Sequence, residues 1–342
     1  MLGYILRRLL LVIPTFIGIT IVVFTLTRMV PGGPIERMMT AYQMANQQQS
    51  SHHSIAGNTL SEDQLDQLKQ YYGFDKPILE SYFDWLGKLI NLDLGQSTRY
   101  YEPVWDTIKE RLPISIFYGL CTLVITYLIA IPLGIYKALK HGEPEDFATS
   151  IIVFLGYAIP NYIVAIALLY TFSFHFELFP MGGFASDDFD YLPWSEQVWD
   201  IIEHATLPLI AYISGSFAVM TFMVKNALLD NLSAQYVQTA ISKGMTFNQA
   251  VFRHALRNSL IPLATHFGNN ISVILMGSFL IETIFNIDGF GLLGYESLIE
   301  RDYPVVMGIL VISALLTLVG NILSDICVAL VDPRIRFGAK NA

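Results

Sequence analysis

Residues 112–136 read LPISIFYGLCTLVITYLIAIPLGIY, 25 positions without an Asp, Glu, Lys or Arg. As a helix this stretch rises about 37 Å at 1.5 Å per residue. That crosses the ~30 Å hydrocarbon core of a bilayer. Lipid offers unpaired backbone groups no partner, so such a segment is expected to be helical. Five further apolar runs lack those four residues: 9–27, 147–176, 204–224, 258–281 and 303–324. The sequence therefore predicts an all-α membrane protein with six transmembrane helices. Pro132 and Pro160 lie inside spans and are expected to kink or loosen them. The run at 147–176 is long enough to include an interfacial end near His175.

Composition agrees. The 342 residues are 53% apolar and 14% charged, with a mean hydropathy of +0.48. Soluble domains carry roughly 45–50% apolar and ~25% charged residues, so a soluble cytosolic enzyme is excluded. The net charge of −9 opposes a nucleic-acid partner, which calls for a basic patch. Cys121 and Cys327 fall inside apolar runs, without metal-site spacing, and read as small buried hydrophobes.

Arg7 and Arg8 ahead of the first run resemble a signal peptide. That run has 19 residues, however, and Val30-Pro31-Gly32-Gly33-Pro34 is no small-x-small cleavage site. It therefore reads as an uncleaved span. With the N-terminus in the cytoplasm, the cytoplasmic segments hold 11 of the 20 basic residues and six of the 29 acids. The positive-inside rule then places both termini inside. The outer side carries nine basic residues against 23 acids, a polarity that suits either cationic peptides or soluble loops.

The organisation expected is a first span with its cytoplasmic N-terminus (1–29), a large periplasmic region (30–113), a five-helix core (114–331) and a cytoplasmic tail (332–342). The core includes a periplasmic loop at 177–203 and a cytoplasmic loop at 226–261. In the outer region, residues 41–58 are polar and low in complexity. The adjacent His52 and His53 there lack acidic or Cys partners and read as solvated loop, not as a metal site. A helix is expected from Ser61 to Gly73. A second, amphipathic one is expected over 77–90, with Leu79, Tyr82, Phe83, Leu86, Leu89 and Ile90 at helical spacing.

No chemistry of the chain's own is evident. There is no phosphate-binding G-x-x-x-x-G-K-[ST], no H-E-x-x-H and no G-x-S-x-G. No catalytic residue, metal site or cofactor is assigned. An ion-coupled transporter would place ionisable groups near the midplane. Here five of the six runs have none in their cores; His266 in the fifth is the exception, and Asp325 follows Asn321 by one turn near the end of the last. A transporter of this kind needs a partner that supplies energy. The alternative is an ion-coupled secondary transporter or channel acting without an ATPase.

The cytoplasmic loop reads as helix, glycine, helix. A first helix is expected over 230–243 and stops at Gly244. Thr246 and Gln249 form a capping box for the next, which carries Phe252, Arg253, His254, Ala255 and Arg257 toward Pro262. Such a protrusion fits a groove on a cytoplasmic partner, or else lies as an amphipathic hairpin on the lipid.

The stretch Tyr236-Val237-Gln238-Thr239-Ala240-Ile241-Ser242-Lys243-Gly244, with His254-Ala255-Leu256-Arg257-Asn258 and Pro262, resembles the coupling loop of ABC importer permeases of the dipeptide, oligopeptide and nickel family. The resemblance covers nearly the whole chain and points to the B-type subunit. It includes Arg7-Arg8-Leu9-Leu10-Leu11-Val12-Ile13-Pro14-Thr15, Pro31-Gly32-Gly33-Pro34 and Tyr72-Gly73-Phe74-Asp75-Lys76-Pro77. It continues through Asp93-Leu94-Gly95-Gln96-Ser97, Glu282-Thr283-Ile284-Phe285, Arg301-Asp302-Tyr303-Pro304 and Asp332-Pro333-Arg334. Gly156-Tyr157-Ala158-Ile159-Pro160 resembles the Yej-type branch, which imports microcin C and related peptides. Two departures stand out. Gln238-Thr239-Ala240 replaces the general Glu-Ala-Ala. Arg257 stands where a Leu-Pro is expected, the proline coming at Pro262.

The resemblance implies a type I (MetI-like) permease fold in the bacterial inner membrane. Its implied partners are a second, C-type permease subunit, two ATPase domains as separate or tandem chains, a periplasmic binding protein, membrane lipid and a peptide substrate. ATP and Mg would be bound by the ATPase partners alone. ATPase-coupling roles pass to Tyr236, Thr239, Ala240, Lys243, Gly244, His254, Arg257, Asn258 and Pro262. No substrate-binding residue is assigned.

Overall fold

The computed structural model describes residues 2–29 and 75–331. The polar stretch 41–58 with His52 and His53, the helix expected at 61–73 and the tail 332–342 lie outside the described residues. Every regular element within them is helical. In order they are α1 (Leu2–Met29), α2 (Ile78–Ile90), α3 (Val104–Leu139), α4 (Pro144–Ala158) and α5 (Asn161–Leu168), which runs into a π-helical turn (Leu169–His175). Then come α6 (Trp194–Leu232), α7 (Gln235–Ser242), α8 (Phe247–Ala250), a second π-helical turn (Val251–Ala255) and α9 (Leu256–Ser259). The chain ends on α10 (Ile261–Leu275), α11 (Phe279–Ile284), α12 (Phe290–Ile299) and α13 (Tyr303–Val331).

Among the described residues, four helices are long and apolar enough to cross a membrane: Leu10–Arg28 within α1, and α3, α6 and α13. The run at 147–176 is a bent pair. Helix α4 and the limb from Asn161 to His175 meet at 97°. Pro160 has no N–H to donate, and its ring crowds the preceding turn. A residue before proline is pushed out of the helical region, and Ile159 is accordingly extended, at φ −88° and ψ 121°. Pro14, Pro113, Pro132 and Pro208 all stay inside continuous helices. What distinguishes Pro160 is that both limbs beside it pack along α6, which the bend permits.

The expectation of six full spans meets its limit at 258–281. There α10 has 15 residues, a rise of about 22 Å, and ends before Gly277. The run counted from Asn258 took in the end of the preceding hairpin and the turn at its far end.

The chain divides into two compact units. Among the described residues, the first holds 2–11, 112–292 and 315–331; the second holds 12–29, 75–111 and 293–314. In the first, Tyr118, Ala165, Leu207, Ala211, Ile281, Phe285 and Ile287 form one buried cluster. Ala130, Met220, Val224 and Leu263 form another between α3, α6 and α10.

In the second unit, two segments far apart in sequence meet. The buried Asp302 carboxylate accepts from Ser97 Oγ at 2.5 Å and from the Thr98 and Arg99 backbone N–H groups at 3.2 and 3.1 Å. Arg99 then reaches Glu296 at 2.5 Å and Glu300 at 3.2 Å. The amphipathic helix expected at 77–90 is α2. Its Tyr82 is buried, while Leu79, Phe83 and Ile90 of the expected apolar face stay exposed.

Candidate functional site

The hairpin between α6 and α10 is built by local chemistry. Helix α6 ends at Leu232, and Ser233 and Ala234 break the helix expected over 230–243 into two. Helix α7 then closes in a Schellman arrangement. The Gly244 N–H donates to Ile241 O at 2.9 Å and the Met245 N–H to Ala240 O at 3.2 Å. Gly244 has φ +95°, a backbone that side-chain-bearing residues rarely adopt. A Cβ there would meet nothing within 4 Å, so the demand for glycine is conformational, not steric.

The capping box is present as read. The Gln249 N–H donates to Thr246 Oγ1 at 3.4 Å, and the Thr246 N–H donates to Gln249 Oε1 at 3.2 Å. A single π-helical turn follows, a feature found often at functional sites.

The hairpin rests on an apolar base. Val237, Ala250, Val251 and Ala255 are fully buried against Leu228 of α6 and Ala138 of α3, with Ala240 at the margin. Its other face is open. Tyr236, Phe247 and Phe252 are 41%, 51% and 58% exposed beside exposed Lys243 and Arg253. Lys243, Gly244, Met245, Gln249, Phe252 and Arg253 line a shallow cleft of about 580 Å³. From residue 231 to 281 the sequence has no acid at all. The surface offered is thus apolar and basic, the complement of an acidic groove with an apolar floor.

The residues singled out by sequence do not form one cluster. Tyr236 and Asn258 are joined: the tyrosine hydroxyl donates to Asn231 Oδ1 at 2.5 Å and accepts from Asn258 Nδ2 at 3.1 Å. Lys243 and Gly244 share the cleft. Thr239 is exposed and bonds within its own helix, to Gln235 O at 2.8 Å. His254 is half-buried in the π-helical turn. Arg257 turns away, its Nε donating to Val331 O of α13 at 3.4 Å. Pro262 stands apart, as the second residue of α10.

Beside this base lies a group of residues that sequence reading counted only as loop charges. Lys137 of α3 is fully buried and donates to the Asp146 carboxylate and carbonyl, both at 2.9 Å, to Thr149 Oγ1 at 3.0 Å and to Ser150 Oγ at 2.7 Å. Lys225 of α6 holds both oxygens of the same carboxylate, at 2.8 and 2.7 Å. His141 Nδ1 lies 3.3 Å from it. Asp146 thereby ties α3, α4 and α6 together. The signal available in sequence was placement, since all three charges stand at the ends of uncharged runs.

A second buried carboxylate lies against the other half of α6. Glu282 of α11 accepts from the Leu292 N–H at 2.5 Å, and from the Ser115 and Tyr212 hydroxyls at 3.4 Å each. Those hydroxyls are in turn held by the Phe290 and Ser278 N–H groups, at 2.8 and 3.2 Å. Gly277, Gly289 and Gly291 wall the carboxyl group, and a Cβ at any of them would press on it. Burial pushes this carboxyl above the usual carboxylate range, and the donors offset only part of that.

Among the described residues, long apolar helices joined by a capped hairpin with an exposed face define a multi-pass membrane protein. Residues 130–337 match the family described as the binding-protein-dependent transport system inner membrane component. The chain belongs to that family and is a multi-pass inner-membrane protein of the ABC permease type.

It is 39% identical to the inner membrane ABC transporter permease protein YejB of Escherichia coli O157:H7, over 99% of this chain and all of that one. It is 38% identical to the peptidoglycan transport system permease protein YejB of Agrobacterium fabrum, over 99% of each. It is 34% identical to the oligopeptide transport system permease protein AppB of Bacillus subtilis, over 98% of this chain and all of that one. An inward-facing structure of the MetNI methionine ABC transporter shares the fold, with a TM-score of 0.51 and 17% identity. The match covers 66% of this chain and 96% of that one.

Proposed function

We propose that this chain is the B-type permease subunit of an ATP-driven peptide importer, and that the hairpin from α7 to α9 is where ATPase motion enters the membrane helices. The observation that carries this reading is the hairpin itself. Exposed Phe247, Phe252, Lys243 and Arg253 stand on a base packed directly against α3 and α6. Two aromatics held out beside two cations suit a protein groove. A force applied at Tyr236 or Phe252 passes through Val237 and Val251 into two long helices. Tyr236, Thr239, Ala240, Lys243, Gly244, His254, Arg257, Asn258 and Pro262 are the residues assigned to this coupling.

The complete importer then contains a second permease subunit, two ATPase domains in separate or tandem chains, and a binding protein on the outer side. Both termini face the cytoplasm. ATP and Mg belong to the ATPase partners, and this chain carries no cofactor or catalytic residue. ATP binding opens the path outward and hydrolysis resets it inward. The relatives are named for oligopeptides and for peptidoglycan. Their shared chemistry is an amide-linked chain, so short peptides are the substrate class, with muropeptides and microcin C-like peptides as members to compare.

The test is Gly244→Val in the assembled complex. A β-branched residue at φ +95° is a conformational outlier. Peptide-stimulated ATPase activity and uptake are expected to fall together, while Gly244→Asn, which tolerates the left-handed region, keeps most of both. Full activity of the valine variant, or transport in liposomes without an ATPase, overturns the reading.

A further inference from the structure

The geometry of α2 points to a second membrane element: we infer that this helix lies in the outer leaflet, with Leu79, Phe83 and Ile90 seated among lipid acyl chains. The inference is independent of the coupling role; it rests on α1 being a span and on the proposed cytoplasmic N-terminus.

The height of α2 is fixed by what it touches on α1. The Tyr82 hydroxyl lies 3.0 Å from Thr20 Oγ1. The Tyr82 and Trp85 rings sit 5.5 and 5.6 Å from that of Phe24. The apolar run of α1 ends at Thr27, and Arg28 beyond it folds back over the Phe24 ring at 5.1 Å, marking the level of the polar boundary. At 1.5 Å per residue, Phe24 lies about 5 Å and Thr20 about 10 Å below Thr27. Interfacial helices bury their apolar face by that depth, ~5–10 Å. Tyr and Trp at this level match the aromatic belt of a membrane boundary.

The stripes of α2 agree with that height. At about 100° per residue, Ser81, Tyr82, Trp85 and Leu89 form the side that meets the protein, and Tyr82 is buried with Phe24 and Met307. Leu79, Phe83 and Ile90 form a flank roughly 100° round from it, and they are 71%, 60% and 76% exposed. Glu80, Asp84 and Lys88 occupy the opposite flank. Lys76 ties that polar flank together, 2.5 Å from Asp84 and 3.9 Å from Glu80. A helix in water gains nothing from three large apolar side chains on one flank. A helix lying along a bilayer surface needs this division: one side on protein, one flank in lipid, one in water. The occupant is therefore the acyl region of the outer leaflet.

The experiment uses the full chain, with Cys121 and Cys327 replaced by Ser, in lipid nanodiscs. Nitroxide labels are placed singly at residues 79, 83 and 90, and at 80, 84 and 88. Collision with oxygen, which partitions into lipid, is compared with collision with a water-soluble nickel chelate. The oxygen-to-nickel ratio is expected to be several-fold higher at the first three positions. Equal ratios would place the flank in water and overturn the proposal. In the assembled importer, Phe83→p-benzoylphenylalanine is then photolysed. Its para-benzoyl group extends outward from the exposed ring, so the adduct reports what lies against that flank. A lipid adduct supports the proposal, and an adduct to another polypeptide overturns it in favour of a protein partner.

Discussion

Two buried carboxylates lean on α6, and they are satisfied in opposite ways. Asp146 is held by two ammonium groups, Lys137 and Lys225. The described partners of Glu282 are all neutral: two hydroxyls and backbone N–H groups. Lys225 and Tyr212 reach them from α6, at points roughly 20 Å apart along the helix axis. The difference shows what each node can tolerate. A carboxylate with two cations is a charged lock that fails when any member is removed. A carboxyl group held by neutral donors works protonated or ionised, and its cost depends on pH.

The largest expected effect therefore belongs to Asp146→Ala. It leaves two lysines in a buried site without their counter-ion, a change that costs about 3–5 kcal/mol when one member of a buried ion pair is removed. Unfolding in detergent should report a loss of that size. The double variant Asp146→Asn with Lys225→Met removes charge of both signs, and should lose much less than the two single changes added together. Additivity would mean that the three charges do not act as a unit, and the contrast with Glu282 would disappear.

The two nodes also mark how far sequence reading reaches. The hairpin was legible because its devices are local: a glycine past a helix end, and Thr246 three residues before Gln249. Most of the apolar runs were legible because lipid imposes length and forbids charge. The bend at Pro160 was not, since Pro14, Pro113, Pro132 and Pro208 sit in unbroken helices. The choice is made by how the two limbs pack on α6. Asp146 and Lys225 are 79 residues apart, and Ser115 and Glu282 are 167 apart. No periodicity connects them, although the segments that contain Glu282 and Asp302 stood out by resemblance. Those segments prove to be folding nodes, each closing a turn around a buried carboxyl group.

Glu282→Ala should cost less than Asp146→Ala. It removes no counter-ion and leaves the Leu292 N–H and two hydroxyls without an acceptor, a penalty of about 1–3 kcal/mol. Ser115→Ala removes one long donor and frees the Phe290 N–H. Its expected cost is ~1 kcal/mol. Chemical unfolding of both variants ranks them. An equal or larger loss from Ser115→Ala would make the serine, not the carboxyl group, the centre of the node.

The smallest effect is the most diagnostic. Burial raises the Glu282 carboxyl above its ordinary value, so the folded protein holds that proton more tightly than the unfolded chain does. The stability this contributes is fully present below the unfolded carboxylate value of ~4.3. It is lost as pH rises through the higher folded value. Glu282→Gln keeps the shape and an acceptor without the titration. Its stability relative to the parent should thus start near zero in acid and grow in the variant's favour as pH rises, then level off. Asp146→Asn gives no such gain, because there the ionised form is the one its two lysines require. Thermal melts of both variants across the acid-to-neutral range measure the two slopes. A glutamine variant that loses ground as pH rises would show that Glu282 is stabilised as an anion, by a cation that its neutral partners do not supply.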